Sequence, residues 1–171
     1  MAVIETPRLY LRELVLDDKK DLMKVLSDED SMRYYPHPFS EEEVENWIRW
    51  NIDNYQTYKH GLWAVIRKED EQFLGDCGIT MQCIDNEWVP EIGFHIIKQY
   101  CNYGYATEAA AACLDYAFDV CKYKEVFSYT SDRNLASQQV ATKLGMEFYK
   151  NIEKNGEKQI VQKISKGCFP C

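Results

Sequence analysis

Several things are scarce in this chain, and each shortage removes a class of protein. No apolar run approaches the ~20 consecutive residues that a membrane-spanning helix needs. The opening Met-Ala-Val-Ile-Glu-Thr-Pro-Arg lacks the basic start and apolar core of an export signal, so a soluble, cytoplasmic protein without membrane attachment is expected. Basic residues are outnumbered: 20 Lys+Arg against 28 Asp+Glu leave a net charge of −8. A nucleic-acid binder of this size carries a basic face, so no nucleic-acid partner is expected. Only 8 glycines occur in 171 residues. None begins the Gly-Lys-Ser/Thr of a P-loop, and no loop holds the three glycines of a dinucleotide fingerprint.

Cysteine is not scarce, but its pattern is uninformative. Seven residues (Cys77, Cys83, Cys101, Cys113, Cys121, Cys168, Cys171) are scattered and odd in number, as reduced thiols are. Cys168-Phe-Pro-Cys171 has the spacing of half a zinc or redox site. It has no second pair elsewhere and reads as part of a short tail, residues 166–171, behind a single domain of residues 1–165. No metal is expected. Hydrophobic residues make up 46% of the chain and aromatics 13%, enough for one domain with a sizeable core.

The periodicities alternate between strand and helix. Leu9–Arg12 alternates as a half-buried strand does, and Asp17-Asp18 opens a helix with Leu22, Val25 and Leu26 on one face. Ser40-Glu-Glu-Glu43 is a capping box, ahead of a helix whose stripe is Val44, Trp47, Ile48 and Ile52. The stiff, aromatic Tyr34-Tyr-Pro-His-Pro38 lies between these two helices. Strands are predicted over Leu62–Arg67, Phe73–Thr80 and Trp88–Ile97. A helix follows over Gly104–Cys121, then a strand over Val126–Thr130 and a helix over Ala136–Leu144. A hairpin turning at Asn155-Gly156 closes the chain. The strand–helix–strand unit from Trp88 to Thr130 requires two parallel strands in a mixed α/β fold.

The segment Gln99–Ala109 is the most informative. It leads from an apolar strand into a long helix, where free backbone amides and the helix dipole favour an anion. Gly104 and Ala106 are small enough for a diphosphate to approach the backbone. The same residues would also suit a plain loop before an alanine-rich core helix.

Four segments in register resemble the GNAT N-acetyltransferases, in particular the RimJ/RimL-like branch that acetylates ribosomal-protein alanines. They are Glu5-Thr-Pro-Arg-Leu-Tyr-Leu-Arg12, Glu91-Ile-Gly-Phe94, Gly104-Tyr-Ala-Thr-Glu-Ala109, and Asn134-Leu-Ala-Ser137 with Lys143-Leu-Gly145. The resemblance implies a central, mostly antiparallel sheet flanked by helices, splayed into a V between its fourth and fifth core strands. It implies acetyl-CoA as co-substrate and a primary amine, on a protein N-terminus or a small molecule, as acceptor. Many members are homodimers. The cofactor arm would pair with Phe94, His95 and Ile96, and the pyrophosphate would take amides from Asn102, Tyr103, Gly104, Tyr105, Ala106 and Thr107. Gln99 keeps a family position, and Asn134 would bond the arm. Asn102 stands where a glycine is usual, and Asn is among the residues that tolerate left-handed backbone.

Transfer needs an unprotonated amine. An α-amine near pKa 8 is about one-tenth neutral at pH 7, and lysine far less. Glu91, which interrupts an apolar strand, is the candidate general base, acting through a water; alternatively it pairs with a basic side chain. As a base assisting a protonated amine, its loss is expected to matter most at low pH. The family's usual tyrosine acid is replaced by Ala141, leaving Ser137, one turn earlier, as the candidate proton donor. Tyr34 and Tyr35 are candidate acceptor contacts, Trp47 and Tyr55 read as core, and His37 reads as an exposed loop residue. The alternative function is a catalytically silent CoA-binding protein on the same scaffold.

Overall fold

The computed structural model describes residues 1–167, so Cys168 and Cys171 lie outside the described residues. Among these described residues eight strands and four α-helices follow in the order β1 (Ala2–Glu5), β2 (Leu9–Glu13), α1 (Lys19–Leu26), α2 (Glu41–Tyr58), β3 (Leu62–Arg67), β4 (Gln72–Ile84), β5 (Glu87–Ile96), α3 (Tyr105–Asp119), β6 (Glu125–Ser131), α4 (Leu135–Lys143), β7 (Glu147–Lys154) and β8 (Glu157–Ser165). They form one sheet in the order β1-β2-β3-β4-β5-β6-β8-β7. Every neighbouring pair is antiparallel except β5 and β6, which are parallel as the crossover through α3 demands. This is the mixed, mostly antiparallel α/β sheet expected from the sequence.

Helices cover both faces. Leu22, Val25 and Leu26 of α1 and Val44 and Ile48 of α2 pack with Ala64, Ile66 and Phe73. On the opposite face Ala109, Ala110, Cys113, Leu114 and Ala117 of α3 pack with Trp63, Val65, Leu74 and Ile79, and Ala141 of α4 joins them. The alternation along β3, with Ala64 and Ile66 on one face and Trp63 and Val65 on the other, is the period-2 rule at work. The capping box at α2 forms as expected: the Glu43 amide donates to Ser40 Oγ (3.2 Å) and the Ser40 amide to Glu43 Oε2 (2.7 Å).

Two local expectations are corrected. β1 was not anticipated, because four residues are too few to show a period; pairing with β2 through a turn at Thr6 creates it, with the Thr6 amide on the Leu9 carbonyl at 2.9 Å. Asp17-Asp18 does not open α1 directly but forms a 3₁₀ turn, Leu16–Asp18. The Asp18 carboxylate is taken by the Arg12 guanidinium (2.8 Å to each oxygen) and by the Val15 amide (2.9 Å).

The feature that positions a site lies between β5 and β6. A single residue pair, Glu91 with Phe127, joins them, whereas β4 and β5 pair over ten positions from Gly75–Ile96 to Ile84–Glu87. Pro90, just before that pair, has no N–H to lend to a ladder. Beyond Glu91 the strands part. These are the fourth and fifth core strands of the sequence reading, shifted by one in number because β1 precedes them.

Candidate active site

Glu91, Gly93 and His95 lie on one face of β5, since alternate residues share a face. Register sets their neighbours on β4: Thr80 opposite Glu91, Gly78 opposite Gly93, Asp76 opposite His95. The middle pair has no side chains, so the floor is bare between two titratable groups. Gly78 is required there, because a Cβ would stand 2.0 Å from the Gly61 carbonyl oxygen. Gly93 is not crowded; a Cβ would meet only Glu91 Oε2 and Leu62 Cδ2, each at 3.5 Å, and would occupy the opening.

Above this floor is a cavity of about 360 Å³. Tyr34, Tyr35 and Pro36 from the loop between α1 and α2, with Trp47 of α2, form one wall; Tyr129, Thr130 and Ser131 of β6 form another. Lys154, Asn155 and Glu157 of the terminal hairpin complete it. The Asn155-Gly156 turn is where the sequence puts it, but its part in the site was not legible locally. Trp47 packs against the core as expected and also forms a cavity wall, while Tyr55 is core, with its hydroxyl between Leu14 and Leu62.

Glu91 is 8% exposed. Its carboxylate receives the Thr80 hydroxyl (3.4 Å) and the Tyr129 backbone amide, and feels Lys154 at longer range. Burial outweighs these and pushes its pKa up to about 8, because a charge in low dielectric is disfavoured. No ion pair to Glu91 forms among the described residues, so the basic-partner alternative is not what the fold adopts.

At the other end of the floor, the His95 side chain does what the sequence reading did not foresee. Its Nδ1 is 2.7 Å from Asp76 Oδ1, and its Nε2 is 2.7 Å from the Tyr35 hydroxyl. Asp76, fully buried, also accepts the Trp47 indole N–H through Oδ2 (3.0 Å). Asp76 carries no sequence signal of its own; only its cross-strand place opposite His95 reveals it.

The other candidates sit apart from this cavity. Phe94 faces away from it and packs with Ile92 against the α3-side core, and Ile96 is buried. Gln99 is exposed in a 3₁₀ turn, Lys98–Tyr100. Asn102, Tyr103 and Gly104 form an exposed bend with φ of 67° at Asn102 and 80° at Gly104. Asn102 therefore takes the left-handed conformation the sequence reading required of it. Glu108 has the first amide bonded within α3, to the Gly104 carbonyl (3.0 Å), so those of Tyr105, Ala106 and Thr107 precede the helix ladder. Arg8 braces the bend: its Nη1 donates to the Tyr103 carbonyl (2.9 Å), its Nε to Glu108 (2.6 Å), and its guanidinium lies 4.6 Å from the centre of the Tyr105 ring. The free amides ahead of α3 thus fit an anionic group.

Asn134 caps α4, its Oδ1 accepting the Ser137 amide at 3.2 Å. This is the turn role of such a residue, and it leaves the amide nitrogen for another partner. Ser137 is half-buried and not among the residues lining the cavity. His37 is exposed and pairs with Glu43 at 2.7 Å, as a loop histidine would. Among the described residues no cluster of His, Cys, Asp and Glu could hold a metal, and no helix is long and apolar enough to cross a membrane.

Comparison with known proteins agrees with this architecture. The acetyltransferase (GNAT) domain profile matches residues 8–147. The uncharacterized N-acetyltransferase YnaD of Bacillus subtilis is 31% identical over 160 residues, 90% of either chain. Among solved structures, a GNAT-family acetyltransferase of Bacillus anthracis superposes with a TM-score of 0.82 at 25% identity, covering 95% of this chain and 97% of that one. RimL, a ribosomal alpha-N-protein acetyltransferase in complex with coenzyme A, shares the fold with a TM-score of 0.78 at 16% identity, over 96% and 98% of the two chains. With a profile spanning most of the chain and a relative of this identity along nearly all of it, the protein belongs to the GNAT acetyltransferase family.

Proposed function

We propose that the protein transfers the acetyl group of acetyl-CoA to a primary amine, on a protein N-terminus or a small molecule, by direct attack within a ternary complex. The observation that carries this reading is Glu91: a buried carboxylate without a paired cation, on the floor of a closed-in cavity, at the point where β5 and β6 part. A base whose pKa lies near working pH is the most effective proton acceptor for an amine. Family membership supplies the chemistry, and the bend at Asn102–Thr107 supplies a suitable cradle.

In this reading the Asn102, Tyr103, Gly104, Tyr105, Ala106 and Thr107 backbone holds the pyrophosphate. Phe94, His95 and Ile96 offer β5 backbone to the pantetheine arm, with Gln99 and Asn134 flanking it. Glu91 removes a proton from the attacking nitrogen, through a water. Tyr34 and Tyr35 contact the acceptor, and Ser137 returns a proton to the departing thiolate, whose ordinary pKa near 8.5 makes that the less demanding step. A backbone amide of β5 holds the acetyl oxygen. The setting is cytoplasmic, and a homodimer belongs to the same reading through the family resemblance.

The test is thiol release from acetyl-CoA against a panel of amines: peptides with free N-termini, a polyamine, an aminoglycoside and an amino acid. Release with at least one amine, abolished by omitting that amine, is expected. Binding of acetyl-CoA without turnover across the panel would favour the silent CoA-binding alternative.

A further inference from the structure

The cavity floor has a titratable group on each side of the bare Gly78–Gly93 pair, and the proposed reaction has so far used only Glu91. His95 lies as far beyond Gly93 as Glu91 lies before it, two residues or about 7 Å of strand. A carboxylate can only accept hydrogen bonds. Asp76 therefore requires a His95 proton on Nδ1, and in the neutral imidazole this leaves Nε2 bare to accept the Tyr35 O–H. The Tyr35 oxygen keeps its lone pairs for a ligand in the cavity that Tyr35 lines. Each member of the chain Asp76–His95–Tyr35 thus faces the way a proton acceptor must.

We infer that this chain is a second proton acceptor of the site, and that it takes up the proton which the acceptor's ammonium group sheds before attack. The inference rests on the acetyl-transfer reading above. In the step itself, the ammonium N–H bond breaks and its proton passes to the Tyr35 oxygen. The Tyr35 O–H proton passes to His95 Nε2, and the resulting imidazolium is held by the Asp76 carboxylate. The nitrogen keeps the electron pair with which it attacks. No oxidant or further reactant is needed, and the imidazolium returns its proton to water after turnover. Tyr35 is the group that touches the amine; His95 takes up the proton through Tyr35, and Asp76 positions the imidazole and balances its charge.

Two protons must leave the nitrogen of an ammonium acceptor on the way to an amide, and the cavity offers two acceptors on opposite sides of one opening. Burial keeps Glu91 mostly protonated at neutral pH, so a separate acceptor has work to do there. The groups facing His95 are Asp76 from β4, Tyr35 from the loop and the uncharged Trp47 ring from α2 at 5.8 Å between centroids. Glu91, Tyr129 and Lys154 lie further along the same cavity.

The first measurement needs no acceptor. Nitrogen NMR of the neutral imidazole in the intact protein should show the His95 proton on Nδ1 and Nε2 bare; the opposite tautomer overturns the inference. The second uses an amine that the panel identifies and a fluorinated analogue of it, too weakly basic to be protonated at pH 7. With the ordinary amine, Tyr35→Phe and His95→Gln should each lower kcat about 10²-fold. The double variant should be no slower than either single one, as groups acting in series require. The loss should shrink as pH rises past the amine's own pKa, and nearly vanish with the fluorinated analogue. Losses that multiply in the double variant, or that are equal for both amines at every pH, overturn the relay while leaving acetyl transfer in place. Failure of the unmutated protein to release thiol with any amine overturns both.

Discussion

At the scale of single residues, Glu91 makes the sharpest claim. A carboxyl whose pKa is pushed up to about 8 is mostly protonated, and so unable to accept, below that pH. This reverses the expectation drawn from sequence, that losing Glu91 would matter most at low pH. With a weakly basic amine as acceptor, the parent's rate should climb through about pH 8, and Glu91→Gln should flatten that climb, costing about 10²-fold above it and little at pH 6; a profile parallel to the parent's would remove Glu91 as base. The same burial has a stability consequence of fixed sign. The folded state holds the Glu91 proton more tightly than the unfolded chain does, so stability falls as pH rises from the ordinary carboxyl range near 4.5 to about 8. Glu91→Gln should therefore melt higher than the parent at pH 8.5, by on the order of a few kcal/mol of stability, with the gap closing toward pH 4 in thermal melts. Gly93 offers a separate test. Its Cβ position is open except toward Glu91 and Leu62, so Gly93→Val should fold, raise KM for the amine at least tenfold and leave acetyl-CoA affinity unchanged. Unaltered amine kinetics would move the acceptor out of this cavity.

At the scale of elements, the bend between β5 and α3 was the most legible part of the site, because its signal is local. A glycine and an asparagine just before an alanine-rich helix announce left-handed backbone, and φ is 80° at Gly104 and 67° at Asn102. Gly104→Val puts a branched side chain into that conformation and against Arg8 Nη2, 3.4 Å from the Cβ position. Calorimetry should show acetyl-CoA binding weakened at least tenfold. Arg8→Ala should weaken the same binding by loosening the bend, with little loss of global stability, since the Arg8–Glu108 ion pair is largely solvent-facing on the arginine side and such pairs contribute about 1 kcal/mol or less. The acceptor side was less legible. The terminal hairpin and Trp47 carry clear local signals, an Asn-Gly turn and a helical stripe, but neither signal says that the element ends against a cavity shared with β5.

At the scale of the whole molecule, the sheet is two ladders, β1 to β5 and β6 to β8, that meet at one backbone pair and are held together by α3 and α4 packed on one face. In the proposed acetyl-transfer reading, the cofactor arm would pair with β5 where it parts from β6. Adding acetyl-CoA should slow amide hydrogen exchange at Phe94–Ile96 and Asn102–Thr107, and change β1, β2 and β3 little; uniform slowing or none at these two segments would place the ligand elsewhere.

Amino-acid order alone determined the succession of elements from β2 onward, the left-handed bend ahead of α3, the capped start of α2 and the turn of the last hairpin, because each is set by neighbours within one or two turns of chain. The tertiary structure alone decided that Asp76 would lie beneath His95, 19 residues away, and that Tyr35 would reach it from 60 residues away. It likewise decided that Glu91 would be buried without a cation. Those outcomes depend on strand register, on two facing glycines that leave a floor bare, and on a proline beside the point where two strands separate. Register is a property of the assembled sheet, so a slip of one residue in β5 would turn Glu91 and His95 to the opposite face.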